Sequence, residues 1–141
     1  MSKRFLLDTN IILDIALERN TFYEAAKEVL FTIEYNQFEA CISATTVTDI
    51  WYVASKQMDR IFANQFLADL VSVTTILSVH QSTIIQAMQL NRKDFEDSVQ
   101  TVVAQENNID AIITRNKKDF LPNVIELYNP QEFIDRFNQI K

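Results

Sequence analysis

The chain has 141 residues, 48% of them apolar, enough for one core of ordinary domain size, and no run approaches the roughly 18–20 uninterrupted apolar residues of a bilayer-spanning helix. Its 13 basic side chains face 19 acidic ones, and the formal net charge of −6 argues against broad, sequence-independent adhesion to nucleic acid through a basic surface. Glycine is absent, which excludes the phosphate loops that need it, the Walker loop and the dinucleotide fingerprint among them.

In chain order, Arg4-Phe5-Leu6-Leu7 reads as a strand stopped by Asp8-Thr9-Asn10, and Ile11 to Leu17 as a buried helix. The apolar opening is too short for a signal peptide. Thr21 and Glu24 have capping-box spacing ahead of a second helix whose Ala26, Val29, Leu30 and Ile33 recur at helical intervals. Phe38–Ile42 is a second strand; Thr45 or Thr46 would cap a helix with Val47, Ile50, Trp51 and Ala54 on one face. Cys41 has no disulfide partner in the chain and sits in an apolar run, so it reads as a small buried hydrophobe of a reducing compartment, with the cytoplasm as the expected location. Ile61, Phe62, Phe66, Leu67, Leu70 and Val71 mark a further amphipathic helix, Ile76–Val79 a third strand, and Ile84–Leu90 another helix. Asp94-Phe95-Glu96-Asp97 opens a helix running through Val103, and Ala111–Thr114 reads as a strand buried on both faces. Val124–Leu127 is a last short strand, and Pro130 starts a helix carrying Phe133, Ile134 and Phe137. Without low-complexity tracts or linkers, residues 1–141 read as a single domain, an α/β fold with helices on both faces of a mainly parallel central sheet.

In such a sheet ligands bind beyond the carboxyl ends of the strands. The acids there are Asp8, Asp49, Asp97 and Asp119, joined by Asn116. Together they would form a carboxylate-rich pocket without histidine or cysteine, the preference of Mg²⁺ or Mn²⁺ over zinc. Each acid taken alone also reads as helix capping: Asp8 for the first helix, Asp49 as partner of Thr46, and one of Asp94 and Asp97 for the helix they open. Arg115, Lys117 and Lys118 alone would be a solvated loop.

The ordered set resembles the PIN-domain family, particularly its small VapC-type toxin ribonucleases. The likeness is carried by Leu7-Asp8-Thr9-Asn10-Ile11-Ile12-Leu13-Asp14, by Ile42-Ser43 followed by Asp49, by Asp94-Phe95-Glu96-Asp97, and by Ile113-Thr114-Arg115-Asn116-Lys117-Lys118-Asp119-Phe120. It implies a three-layer α/β/α fold and a metal-dependent nuclease that cuts single-stranded RNA with Mg²⁺ or Mn²⁺. By resemblance Asp8 and Asp97 are the first and third acidic ligands. Asp49 stands where the family more often has Glu, and Asn116 where many members have a fourth Asp, leaving Asp119 as the nearest replacement. Thr9, Asn10 and Thr114 would support the site, and Arg115, Lys117 and Lys118 would clamp RNA phosphates. Asn107-Asn108 stands where a glycine is usual, since Asn tolerates left-handed backbone angles. A cognate antitoxin or a second copy of the chain, as a homodimer, would cover the surplus apolar groups Trp51, Phe62 and Phe66. The alternative is a PIN-like binding or regulatory module that has lost catalysis through the changes at Asp49 and Asn116.

Overall fold

The computed structural model describes residues 2–120 and 123–138. Its elements are β1 (Arg4–Leu7), α1 (Thr9–Ala16), α2 (Tyr23–Tyr35), β2 (Glu39–Ser43), α3 (Ala44–Gln57), α4 (Arg60–Val73), β3 (Thr75–Leu77), α5 (Gln81–Leu90), α6 (Phe95–Glu106), β4 (Ala111–Ile113), β5 (Leu127–Tyr128) and α7 (Pro130–Phe137). A single 3-10 turn, Lys117–Asp119, follows β4. The strands pair in parallel in the order β3-β2-β1-β4-β5, with β1 in the middle.

Side-chain alternation along β1 divides the core. Phe5 and Leu7 point into the layer built by Ile12 and Leu13 of α1, Val29 and Ile33 of α2, Ile50 of α3, Leu70 of α4 and Phe133 of α7. Leu6 points the other way, with Cys41 and Ile112, onto Ala87 of α5 and Val99, Val102 and Val103 of α6. The mainly parallel three-layer fold expected from the sequence is therefore what the chain adopts. The Cys41 thiol is fully buried, and burial pushes its pKa up to about 11, so it behaves as a small hydrophobe. No helix among the described residues is long and apolar enough to cross a membrane.

Several boundaries differ from expectation, each for a local reason. Thr21 does not cap α2: its φ of 78° puts it in the left-handed region, and the helix starts two residues later, after Phe22. Neither Thr45 nor Thr46 caps α3; the cap is Ser43, whose Oγ accepts the Thr45 N–H at 3.3 Å. The last strand is Leu127–Tyr128, because β4 offers a short register in which Ile112 and Ile113 pair with those two residues. Ile125, expected in that strand, packs against the second core from a bend instead. The third strand ends at Leu77, where its pairing partner β2 ends at Ser43. Ile61 was expected on the apolar face of α4 but is 82% exposed. Asn108 does turn the chain before β4, with a φ of 54°.

Candidate active site

The chain winds from β1 to β2 and β3 on one side of the sheet's centre, then returns through α5 and α6 to place β4 on the other. The carboxyl ends of β1 and β4 thus flank the point where strand order reverses, and a crevice opens there. Asp8 follows β1 and Thr114 follows β4, both at this edge.

Asp8 occupies the N-cap position of α1, yet its carboxylate makes no capping hydrogen bond. Instead Oδ2 accepts from the Thr114 hydroxyl at 2.7 Å and Oδ1 from the Gln100 amide at 3.0 Å, with the residue only 4% exposed. Both donors are buried, so the carboxylate is held across the sheet edge and turned away from the helix it precedes. The remaining Gln100 oxygen, Oε1, is buried without a hydrogen-bond partner among the described residues.

At the start of α6 the two candidate caps separate. The Asp94 carboxylate accepts the Asp97 N–H at 3.1 Å and caps the helix. That leaves the Asp97 side chain free of capping, and it is buried against the site. Burial, then the neighbouring carboxylates of Asp8, Asp94 and Asp119, push its pKa up to about 7. Carboxylate oxygens of Asp8, Glu96 and Asp97 lie within 4.8 Å of one another. Glu96 is the member that sequence reasoning missed; the available signal was three acids within four residues, more than one helix start requires.

The other sequence-derived candidates surround this trio unevenly. Asp49 sits on the second turn of α3, half-buried, its pKa raised by burial, and its carboxylate does not join the group. The turn before it is tied to the site, since Thr46 Oγ1 lies 2.9 Å from Thr9 Oγ1 in a buried contact. Asn116 is half-buried and donates its backbone N–H to Thr114 Oγ1 at 3.0 Å. Asp119 is exposed on the following turn, close enough to raise the pKa of Asp97.

The three cations of the loop after β4 have different fates. Arg115 forks onto the carboxylate of Asp14 at 2.8 and 3.2 Å and stacks its guanidinium 3.9 Å from the Phe22 ring centroid. Asp14 is fully buried and also meets Arg19, whose Nη1 donates to Asn10 Oδ1 at 3.1 Å. Lys117 pairs with Glu132 of α7 at 2.8 Å. Lys118 is exposed, with no hydrogen bond or ion pair among the described residues. Asn10 and Arg115 thus belong to a buried network that pins this loop to α1.

Three carboxylates this close, without histidine or cysteine among them, form an all-oxygen donor set. That set fits a hard divalent cation, which would neutralise the neighbouring charge that, after burial, raises the pKa of Asp97.

The sequence profile of the PIN domain matches residues 4–118 of the chain. Ribonuclease VapC1 of Aquifex aeolicus (strain VF5) is 27% identical over 144 residues, covering 99% of both chains. A toxin–antitoxin complex from Klebsiella pneumoniae contains a chain 25% identical that superposes with a TM-score of 0.67, over 89% of this chain and 96% of that one. A DNA-bound VapBC from Salmonella typhimurium shares the fold at a TM-score of 0.71 and 19% identity, over 92% and 99% of the two chains.

Proposed function

This chain belongs to the PIN-domain family, and on that premise we propose that it is a metal-dependent endoribonuclease hydrolysing phosphodiester bonds of single-stranded RNA, as the toxin of a toxin–antitoxin pair. The observation that carries the reading is the Asp8 carboxylate. A structural Asp at a helix start would bond the helix amides, whereas Asp8 is held by Thr114 and Gln100 against two further carboxylates.

Asp8, Glu96 and Asp97 would hold Mg²⁺ or Mn²⁺, with Asp49, Asn116 and Asp119 as the outlying donors of the same edge. Such an ion supplies an activated water and neutralises charge on the departing oxygen of the phosphodiester. The protein's own groups set the stage for it. Thr114 and Gln100 fix the direction of Asp8; Asp94 fixes the first turn of α6 and with it Asp97 and Glu96. Thr9, through Thr46, anchors the start of α3 beneath Asp49. The Asp14–Arg115 fork positions the loop bearing Asn116 and Asp119, and Lys118 offers a free cation to an RNA phosphate at its rim.

Trp51, Phe62 and Phe66, expected to need a partner, are half-buried, Phe66 against the core; the exposed Tyr52, Met58 and Ile61 on or beside α3 and α4, together with the likeness to a toxin–antitoxin complex, support a cognate antitoxin or a second copy as the partner. The alternative of a PIN-like module that binds without cutting draws on Asn116 and on the separation of Asp49 from the carboxylate trio. Both readings meet one experiment: end-labelled single-stranded RNA incubated with the protein and Mn²⁺ or Mg²⁺, against EDTA and against Asp97→Asn. Cleavage that needs the ion and disappears in the variant is the expected result. Intact RNA in all arms would replace the nuclease by the binding module.

A further inference from the structure

A cleft of about 650 Å³ is lined by Asn91 to Phe95, the segment at the junction of α5 and α6, and by Lys118 and Asp119; its Asp94 accepts the Asp97 N–H, which sets the cleft next to the carboxylate trio. The segment is shaped by Asn91, whose left-handed φ of 51° ends α5 and throws Arg92 and Lys93 into solvent. Neither Arg92 nor Lys93 makes a hydrogen bond or ion pair among the described residues, and Lys118 opposite is equally free. Next along the wall stands Phe95, 47% exposed although it begins a helix whose other apolar residues are buried. The same wall continues into Asp94 and then the acids of α6.

In a protein of net charge −6, three unpaired cations and an exposed aromatic ring gather around one cleft, with the acids Asp94 and Asp119 beside them. The combination matches what a flexible single strand offers, namely phosphates for the cations and unstacked bases for the ring. Two of the loop cations expected to clamp phosphates, Arg115 and Lys117, already pair with Asp14 and Glu132. We propose that this cleft is the track by which single-stranded RNA reaches the carboxylates, with Arg92, Lys93 and Lys118 holding phosphates and Phe95 stacking one base beside the cut site. The inference deepens the nuclease reading and rests on it.

The test uses the whole protein and a fluorescein-labelled single-stranded oligoribonucleotide, with binding followed by anisotropy in EDTA across a salt series and cleavage followed separately with Mn²⁺. Arg92→Ala/Lys93→Ala should flatten the slope of log affinity against log salt by about 1.4, since each phosphate contact on a single strand contributes about 0.7. Phe95→Leu should weaken binding about tenfold at unchanged slope, and Phe95→Tyr should retain it, because stacking needs the ring. In cleavage, the losses should raise KM and leave kcat. All four side chains are exposed, and melting temperatures near that of the parent verify that the variants fold. Wild-type affinity and slope in the variants would overturn the track, whether or not the protein cuts. No RNA binding by the parent protein would overturn it as well. Binding that depends on Arg92, Lys93 and Phe95 without any cleavage would uphold the track and refute the nuclease reading alone.

Discussion

Replacing Asp97 by Asn should make the metal-free protein more stable while removing its response to metal. Asp97 is 8% exposed, its carboxyl faces the charges of Asp8, Asp94 and Asp119, and its pKa is raised to about 7. An unfolded chain ionises the same group near 3.9, so the gap of about three pH units corresponds to about 4 kcal/mol at most. Side-chain relaxation and water entry reduce this, and about 2 kcal/mol is the expected effect. The native state holds the proton more tightly than the unfolded state does. Stability from the protonated form is therefore complete below about pH 4 and is lost as pH rises through about 7. Thermal unfolding followed by circular dichroism in EDTA should give matching melting temperatures for parent and variant near pH 4. At pH 8 the variant should melt about 6 °C higher. Saturating Mn²⁺ should then raise the parent by about 3 kcal/mol at a hundredfold excess over its Kd and leave the variant nearly unmoved. A variant that melts below the parent at pH 8, or a difference that ignores pH, would show that burial and the neighbouring carboxylates do not hold the proton on Asp97.

Three further outcomes follow from contacts elsewhere. Asp14→Asn leaves Arg115 and Arg19 facing a neutral amide; because both guanidiniums reach solvent, the expected loss is about 2–3 kcal/mol, read as a lower urea midpoint, and an unchanged midpoint would refute the tethering role. Thr114→Val removes the donor to Asp8 and the acceptor for the Asn116 N–H, costing about 1–3 kcal/mol in chemical denaturation, whereas Thr114→Ser should restore most of it. Thr21→Gly relieves a left-handed β-branched residue, a gain of about 1–2 kcal/mol partly offset by about 0.5–1 kcal/mol of chain entropy, so the melting temperature should rise slightly; a fall would show that the threonine side chain is held by contacts worth more than the strain.

The elements of this fold were legible wherever local pattern decides them. The apolar run before Asp8, the helical spacing from Ala26 to Ile33 and the Pro130 helix start all rest on neighbours within a few residues. What escaped rests on distant partners. Ser43 takes the cap of α3 from two adjacent threonines because β2 ends there, a matter of strand pairing. The register of β5 depends on how little of β4 is left to pair. At the site, Asp8 and Asp97 were legible as acids in order, but Gln100 was hidden in a valine-rich helix, where only contact with a residue 92 positions away gives it meaning. Glu96 was masked by a plausible role at a helix start that Asp94 already fills. Arg115 read as a solvated cation until α1 brought Asp14 beneath it, 101 positions earlier in the chain.

The central place of β1 has a consequence for the chain during its synthesis. Its first neighbour, β2, arrives early, Phe5 pairing with Ala40, while the other edge waits for Ala111–Ile113. Until then Phe5-Leu6-Leu7 presents open backbone amides and carbonyls along an apolar segment, the template on which foreign strands add. Over the same interval Asp8 lacks Thr114, 106 positions ahead, so the carboxylate centre is incomplete. Insertion of β4 ends both conditions in one step. Chains halted before residue 111 should therefore scatter light through association and release no RNA fragments, whereas the completed chain should do the opposite.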